Sequence, residues 1–298
     1  SFMLESNEMN FSMRRRGIGW ACVLLLFGLL ATALTANYVK LFVDGVEKRE
    51  FEVICREVRE KIHDRLLTHQ QILQSGTAFY KETDGINRET WKRYTDGQKL
   101  DQQLPGILGF GFAQLITPST LAQHVQRIQA EGFPDYTVWP EGERDIYTSI
   151  IYLEPFADRN LRAFGYDMFS EPVRREAMIR ARDQGVAALS GKISLVQETD
   201  TDIQAGTLMY APVYRPGMPC DTVAQRQAAL VGWVYSPYRM SDLMRGILGE
   251  WDLTNDKNVR LEVFDGEQAD QEALLYDSQS EEVHSPALTM PLGLEAAG

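Results

Sequence analysis

The pattern of apolar and polar positions opens on a block. From Ile18 to Ala36 the chain reads IGWACVLLLFGLLATALTA, 19 residues without a charge. About 20 apolar residues cross a hydrocarbon core, so the block predicts one transmembrane helix. Past it the pattern turns periodic. Between Asn37 and Ser75 there is no proline, and Gly45 is the only glycine. Val39, Val43, Val46 and Val53 form one apolar set, and Ile54, Val58, Ile62, Leu66 and Leu73 form a second. Spacings of three, four and seven within the sets belong to one helix face, so the segment predicts a long stalk helix. The single-residue step from Val53 to Ile54 moves the stripe around that helix. The stripe suits packing on downstream domains or on the same helix of a second subunit, and the sequence leaves both open.

After a second helical stretch, Arg88–Leu100, and the Pro105-Gly106 break, the period alternates between strand and helix. Ile107–Ile116, Tyr136–Trp139, Tyr147–Leu153, Lys192–Gln197 and Thr207–Tyr214 read as strands. Pro118–Ala130 reads as a helix with Leu121, Val125 and Ile128 on one face. The helix from Glu171 to Gln184 is the best delimited, with Ser170 as its cap, Pro172 in its first turn and Gly185 as its stop. RPGMPC, Arg215–Cys220, is turn-rich and is taken as a domain boundary. A further strand (Ala229–Tyr235), a helix (Ser241–Leu248, stopped by Gly249) and a strand through Val259, Leu261 and Val263 follow, with the Asp265-Gly266 turn leading to Leu274–Tyr276. The predicted class is α+β. The predicted divisions are a cytoplasmic N-terminus (1–17), a transmembrane helix (18–36), a stalk with a second helix (37–104), and two mixed domains, 105–215 and 216–298, the second ending before another apolar span.

Charge orients the apolar block. Arg14, Arg15 and Arg16 precede it, so the positive-inside rule leaves the short N-terminus in the cytoplasm and exports residues 37–298. Trp20 and Tyr38 stand near its two ends, as interfacial aromatics do. Ala31-Thr32-Ala33 offers the alternative of signal cleavage, which would release a soluble binding protein; export follows either way. The net charge of -12 argues against nucleic acid as a partner. Of three cysteines, Cys22 lies in the apolar block, while Cys55 and Cys220 fall in exported segments where they either pair or remain two thiols.

Local catalytic and metal motifs are missing. His63, His69, His124 and His284 are scattered, and the six-residue step between the first two does not put them on one helix face. Gly106-x-x-Gly109-x-Gly111 is not a dinucleotide fingerprint, and Ser190-Gly191-Lys192 lacks the rest of a P-loop. No cofactor, metal or catalytic residue is predicted, and an extracellular hydrolase would need a site assembled only by the fold. Rings do cluster: Tyr136, Trp139, Tyr147, Tyr152, Phe156, Phe164, Tyr166 and Phe169 accompany Asp145 and Asp167. Aromatic walls with a few directed polar groups hold small ligands, although each ring alone is equally a core residue.

The stretches GFGFAQ (109–114), EGFPDYTVWPEGERDIYTSIIYLEPF (131–156), AFGYDMFSEPVRREAMIRARDQG (163–185) and LMYAPVYR (208–215) resemble the CHASE sensory domain. That family supplies the extracytoplasmic input of plant cytokinin receptors and of bacterial sensor kinases and cyclases. The resemblance implies a stalk helix and two tandem PAS-like domains with antiparallel sheets, the ligand lying in the membrane-distal one. It also implies a homodimer through the stalk, a second membrane crossing and a cytoplasmic output module, a histidine kinase before a diguanylate cyclase. On the family pattern Tyr136 matches the aromatic before the TV strand, Asp145 resembles the pocket aspartate and Tyr166-Asp167 lies near the ligand; a small molecule donating a hydrogen bond to Asp145 would then have Tyr136, Tyr147 and Tyr152 as its wall. Before PVY the cytokinin receptors carry threonine and phenylalanine, where this chain has Tyr210 and Ala211, so the pocket wall differs.

Overall fold

A computed structural model describes residues 2–83, 85–100, 106–198, 203–249, 259–279 and 288–293, with side chains from Trp20 onward. The arginines at 14–16, Pro105 and His284 therefore lie outside the described side chains. Two compact units divide the chain, the first built on the N-terminal part of the first helix to Glu57, the second beginning at Val58.

In the first unit, helix α1 (Phe2–Glu82, which continues into the second unit) contains a stretch long and apolar enough to cross a membrane, none of it buried. Val39, Val43, Val46 and Val53 are all exposed, whereas Ile54 and, in the second unit, Val58, Ile62 and Leu73 are buried. The one-residue shift at Val53/Ile54 thus marks where the stripe becomes covered.

The second unit is built on one five-stranded antiparallel sheet of order β2-β1-β5-β4-β3. Its strands are β1 (Phe110–Ile116), β2 (Tyr147–Glu154), β3 (Ala188–Leu189), β4 (Gly206–Tyr214) and β5 (Leu230–Arg239). The boundary expected at 215/216 is corrected here. Arg215–Cys220 is a turn leading, through short helix α5 (Val223–Ala229), to β5, and β5 pairs with β4 from Gly206↔Arg239 to Tyr214↔Leu230. Turn-rich sequence between two apolar strands connects neighbours in one sheet as readily as it separates domains. What lies beyond is, among the described residues, helix α6 (Met240–Leu248) and the hairpin β6 (Glu262–Phe264) and β7 (Leu274–Asp277). Lys192 ties this hairpin down: its backbone N–H donates to Asp265 Oδ2 at 2.7 Å and its Nζ to the Glu272 carbonyl at 2.7 Å.

Two expected strands do not form. Tyr136–Trp139 contributes a single bridge, Trp139↔Tyr166, and Lys192–Gln197 a single bridge, Ile193↔Gly206, while Ala188–Leu189 takes the edge position. Helix α2 (Arg88–Gln98) starts on an Asn87–Thr90 capping box. Helix α3 runs Leu121–Ala130. Helix α4 (Pro172–Gln184) is capped by Glu171 rather than Ser170, because the longer carboxylate accepts from both Val173 N and Arg174 N; Gly185, at φ 76°, ends it.

Both faces of the sheet are covered. On one, α1 and α2 stack rings on β1, β2 and β5: Tyr80 on Phe112 (4.2 Å between centroids), Trp91 on Phe110 (5.5 Å) and His69 on Tyr238 (4.9 Å). A side chain at Gly76 would strike the Phe110 ring and Val234, so glycine there sets how closely α1 approaches. On the other face α4 lays Ala177, Met178 and Ala181 over Ala113, Ile150, Tyr210, Trp233 and Tyr235. Trp233 Nε1 donates to the Met178 carbonyl at 3.0 Å, fixing α4 to the central strand.

Candidate functional site

Strand alternation decides which predicted site residues can meet. A bulge opposite Phe112/Ala113 resets β2, so that Thr148 and Ile150 face α4 while Ser149 and Tyr152 face the helices α1–α3. The expected ligand set is therefore divided by the sheet. Tyr136 and Tyr152 lie on the α1 side; Tyr166, Asp167 and Tyr210 lie on the α4 side.

On the α1 side the tyrosines are occupied by the protein. Tyr136 Oη lies 2.8 Å from His124 Nε2 and 2.5 Å from Ser149 Oγ. Arg127 Nη2 sits 3.3 Å from His124 Nδ1. An arginine only donates, so Nδ1 accepts, Nε2–H donates to Tyr136, and Tyr136 donates to Ser149. Burial, and secondarily the Arg127 charge, holds His124 down at about 4, so the imidazole is neutral; burial pushes Tyr136 up to about 12. Tyr152 Oη donates to the Ile86 carbonyl at 3.0 Å, and its ring stacks on Trp91. Tyr147, on the loop side of β2, donates to the Gly142 carbonyl at 2.9 Å. Asp145 is exposed on the same loop.

On the α4 side the polar groups are buried and incompletely used. Asp167 is fully buried. Its Oδ1 accepts from Thr148 N (2.8 Å), Thr148 Oγ1 (3.0 Å) and Phe169 N (3.1 Å), which fixes the turn into α4. Its Oδ2 makes no hydrogen bond and meets only the Arg144 guanidinium at 3.3 Å. Burial raises the carboxyl, against the hydrogen bonds and Arg144, which lower it. Tyr210 and Tyr235 are cross-strand partners with ring centroids 6.4 Å apart; both are wholly buried and neither hydroxyl has a partner. A Cβ at Gly111 would fall on the Tyr235 ring, so glycine there gives that ring its place over β1. Arg174, 2% exposed, lies over the Tyr166 ring at 4.9 Å, donates from Nη2 to the Ser194 carbonyl at 2.8 Å, and leaves Nε without a hydrogen bond. Glu171 Oε2 is 3.9 Å from that Nε.

Trp233, Tyr235 and Arg174 had not been singled out by sequence. A signal for Arg174 exists: with Ala177, Met178 and Ala181 it completes the buried stripe of α4, and an arginine on a core stripe needs partners. Cys22, Cys55 and Cys220 are free, and no bridge joins the last two. Among the described residues no cluster of His, Cys, Asp or Glu has the makings of a metal site.

An antiparallel sheet covered on one face by α1 and α2 and on the other by the capped helix α4 defines a mixed α+β domain. The CHASE domain family profile matches residues 84–276, and the chain belongs to that family. It is also similar to Probable histidine kinase 6 of Oryza sativa subsp. japonica, 25% identical over 218 residues, which are 70% of this chain and 20% of that protein. The chain thus spans about a fifth of the length of the curated relative it matches.

Proposed function

We propose that this chain is the extracytoplasmic sensing region of a membrane receptor, that it binds a small molecule between the sheet and α4, and that its output is a histidine kinase. The carrying observation is the set of buried polar atoms without a hydrogen bond on the α4 side: Tyr210 Oη, Tyr235 Oη and Arg174 Nε, with Asp167 Oδ2, which meets only the Arg144 guanidinium. Leaving such atoms unpaired costs about 1–3 kcal/mol each, so a ligand that pairs them recovers free energy the empty protein forgoes. The sheet order and the helix over one face support a PAS-like reading of this unit. Membership of the CHASE family and the likeness to a histidine kinase support the sensor and kinase roles.

The apolar stretch of α1 supports an anchor in the cell membrane, with residues 37–298 on the periplasmic side. The exposed valines at 39, 43, 46 and 53 support pairing with the same helix of a second copy in a homodimer. The test is a thermal-shift screen of the full chain, in detergent, against small metabolites including cytokinins. Hydrogen exchange then maps any hit. Protection is expected in 166–178, 208–213 and 231–236. A hit that protects only α2 and α3 would place the site on the wrong side of the sheet and end this reading.

A further inference from the structure

The chemistry of the unpartnered atoms constrains what they take up. Three of the four are donors or donor-capable: two tyrosine hydroxyls and a guanidinium N–H, all on side chains 2% exposed or less. The remaining acceptor, Asp167 Oδ2, already faces the Arg144 guanidinium at 3.3 Å. Charge near the set is balanced, with Arg174 and Arg144 against Glu171 and Asp167, but it is unevenly engaged. Both oxygens of Glu171 accept from the first turn of α4, and Asp167 Oδ1 is saturated by three donors. Positive hydrogen-bonding capacity is therefore left over, from the fork of Arg174 and two hydroxyls held over adjacent strands. For an adenine-type ligand the family pattern instead supplies a carboxylate that accepts its N–H groups. The residue expected to supply one, Asp145, is exposed. Around the donors stand the Tyr166, Phe169 and Trp233 rings, with Phe169 and Trp233 centroids 5.5 Å apart.

Resting on the sensing role proposed above, we propose that the ligand of the α4 side is a small carboxylate, preferably an aromatic one, whose acid group takes hydrogen bonds from Tyr210 Oη, Tyr235 Oη and Arg174 Nε. A carboxylate offers about four acceptor positions in a plane, which suits a guanidinium edge and two flanking hydroxyls. The rings then cover the apolar remainder of the ligand.

The experiment measures binding to the full chain in detergent, by calorimetry and thermal shift, with benzoate, phenylacetate and butyrate as probes. Each acid is paired with its amide and with the amine of matching shape. The expected result is saturable binding of at least one acid, at least tenfold tighter than its amide and its amine. Tyr210→Phe and Tyr235→Phe should each weaken that acid about tenfold, with the amide unchanged. Both variants remove a hydroxyl without altering shape, so they are expected to fold, and thermal melting without ligand verifies it. Amides or amines that bind as tightly as the acids overturn the carboxylate assignment, and so does an acid whose affinity ignores both substitutions. Failure of every acid overturns it too. The broader sensing role falls separately, only when the metabolite screen yields no ligand protecting the α4 side.

Discussion

The two sides of the sheet bury polar groups in different ways. Toward α1, the Tyr136 hydroxyl is held within a closed chain running from Arg127 through His124 to Ser149. The orphans on that side are both ring nitrogens of His69, Tyr238 Oη and Trp91 Nε1, uncharged and within ring stacks, and Arg88 Nε, a guanidinium nitrogen over the Phe133 and Tyr152 rings. Toward α4 a guanidinium nitrogen, Arg174 Nε, is joined by a carboxylate oxygen, Asp167 Oδ2, and by two tyrosine hydroxyls on neighbouring strands. A neutral orphan in a stack costs little beyond its own desolvation, and ring packing offsets it. A buried charge left half-paired costs several times more, and a fold keeps it only where something else is gained. On the function proposed above, the gain is a place for a ligand. The clearest difference lies in the hydroxyls: toward α1 Tyr136 is held by two partners, whereas toward α4 those of Tyr210 and Tyr235 have none.

The largest expected effect tests whether Asp167 is primarily a fastening. Asp167→Ala strands the Thr148 N–H and hydroxyl, takes one of two acceptors from the Phe169 N–H and leaves Arg144 without its buried counter-charge. A loss of about 3–5 kcal/mol is expected, as for removing one partner of a buried pair. Asp145→Ala, on the exposed loop, is expected to stay within about 0.5 kcal/mol of the parent protein. Urea titration of both variants checks the contrast. Equal midpoints would erase the distinction between the fixed and the exposed carboxylate.

A smaller effect separates the sides by pH. Burial, and after it the Arg65 charge, holds His69 at about 4, and His124 is likewise held at about 4. The unfolded chain takes up these protons near 6.5, so stability is complete above that value and is lost as pH falls from 6.5 toward 4. Between pH 7 and 4.5 each group is expected to withdraw about 2–3 kcal/mol. His69→Phe keeps a ring against Tyr238 and should flatten its share of the slope. Melting temperatures across that pH range provide the readout, and an unchanged slope would remove His69 from the account.

Local periods made most elements legible, and cross-strand neighbours were what they missed. The stripe on α1 was readable because helix spacing repeats within one segment, and even its break at Val53/Ile54 has a structural counterpart in the change from exposed to buried positions. The boundary at Arg215–Cys220 failed because pairing of β4 with β5 is a non-local fact, invisible to a local turn signal. The division of the expected site residues between the two sides of the sheet was hidden for a related reason. Tyr136, Tyr152, Tyr166 and Tyr210 all look alike as rings in strand-rich sequence, and a single bulge in β2 decides which side Tyr152 and Ser149 take. Arg174 was legible in principle, from its place on the buried stripe of α4, whereas its pairing needs had to await the fold.

The smallest expected effect is the sharpest, because it has opposite signs on the two sides. Tyr136→Phe removes a hydroxyl with two partners and strands His124 Nε2–H in a buried site; about 1–2 kcal/mol of stability should go. Tyr210→Phe removes a fully buried hydroxyl with no partner, so the ligand-free protein should gain about 1 kcal/mol, the desolvation it no longer bears. Both changes delete one oxygen from a buried ring, so volume and apolar burial are matched and only hydrogen bonding differs. Denaturant midpoints of the two variants, taken without ligand, give the comparison directly. A destabilised Tyr210→Phe would mean that its hydroxyl already has a protein-side partner, and the α4 side would then be as closed as the side facing α1.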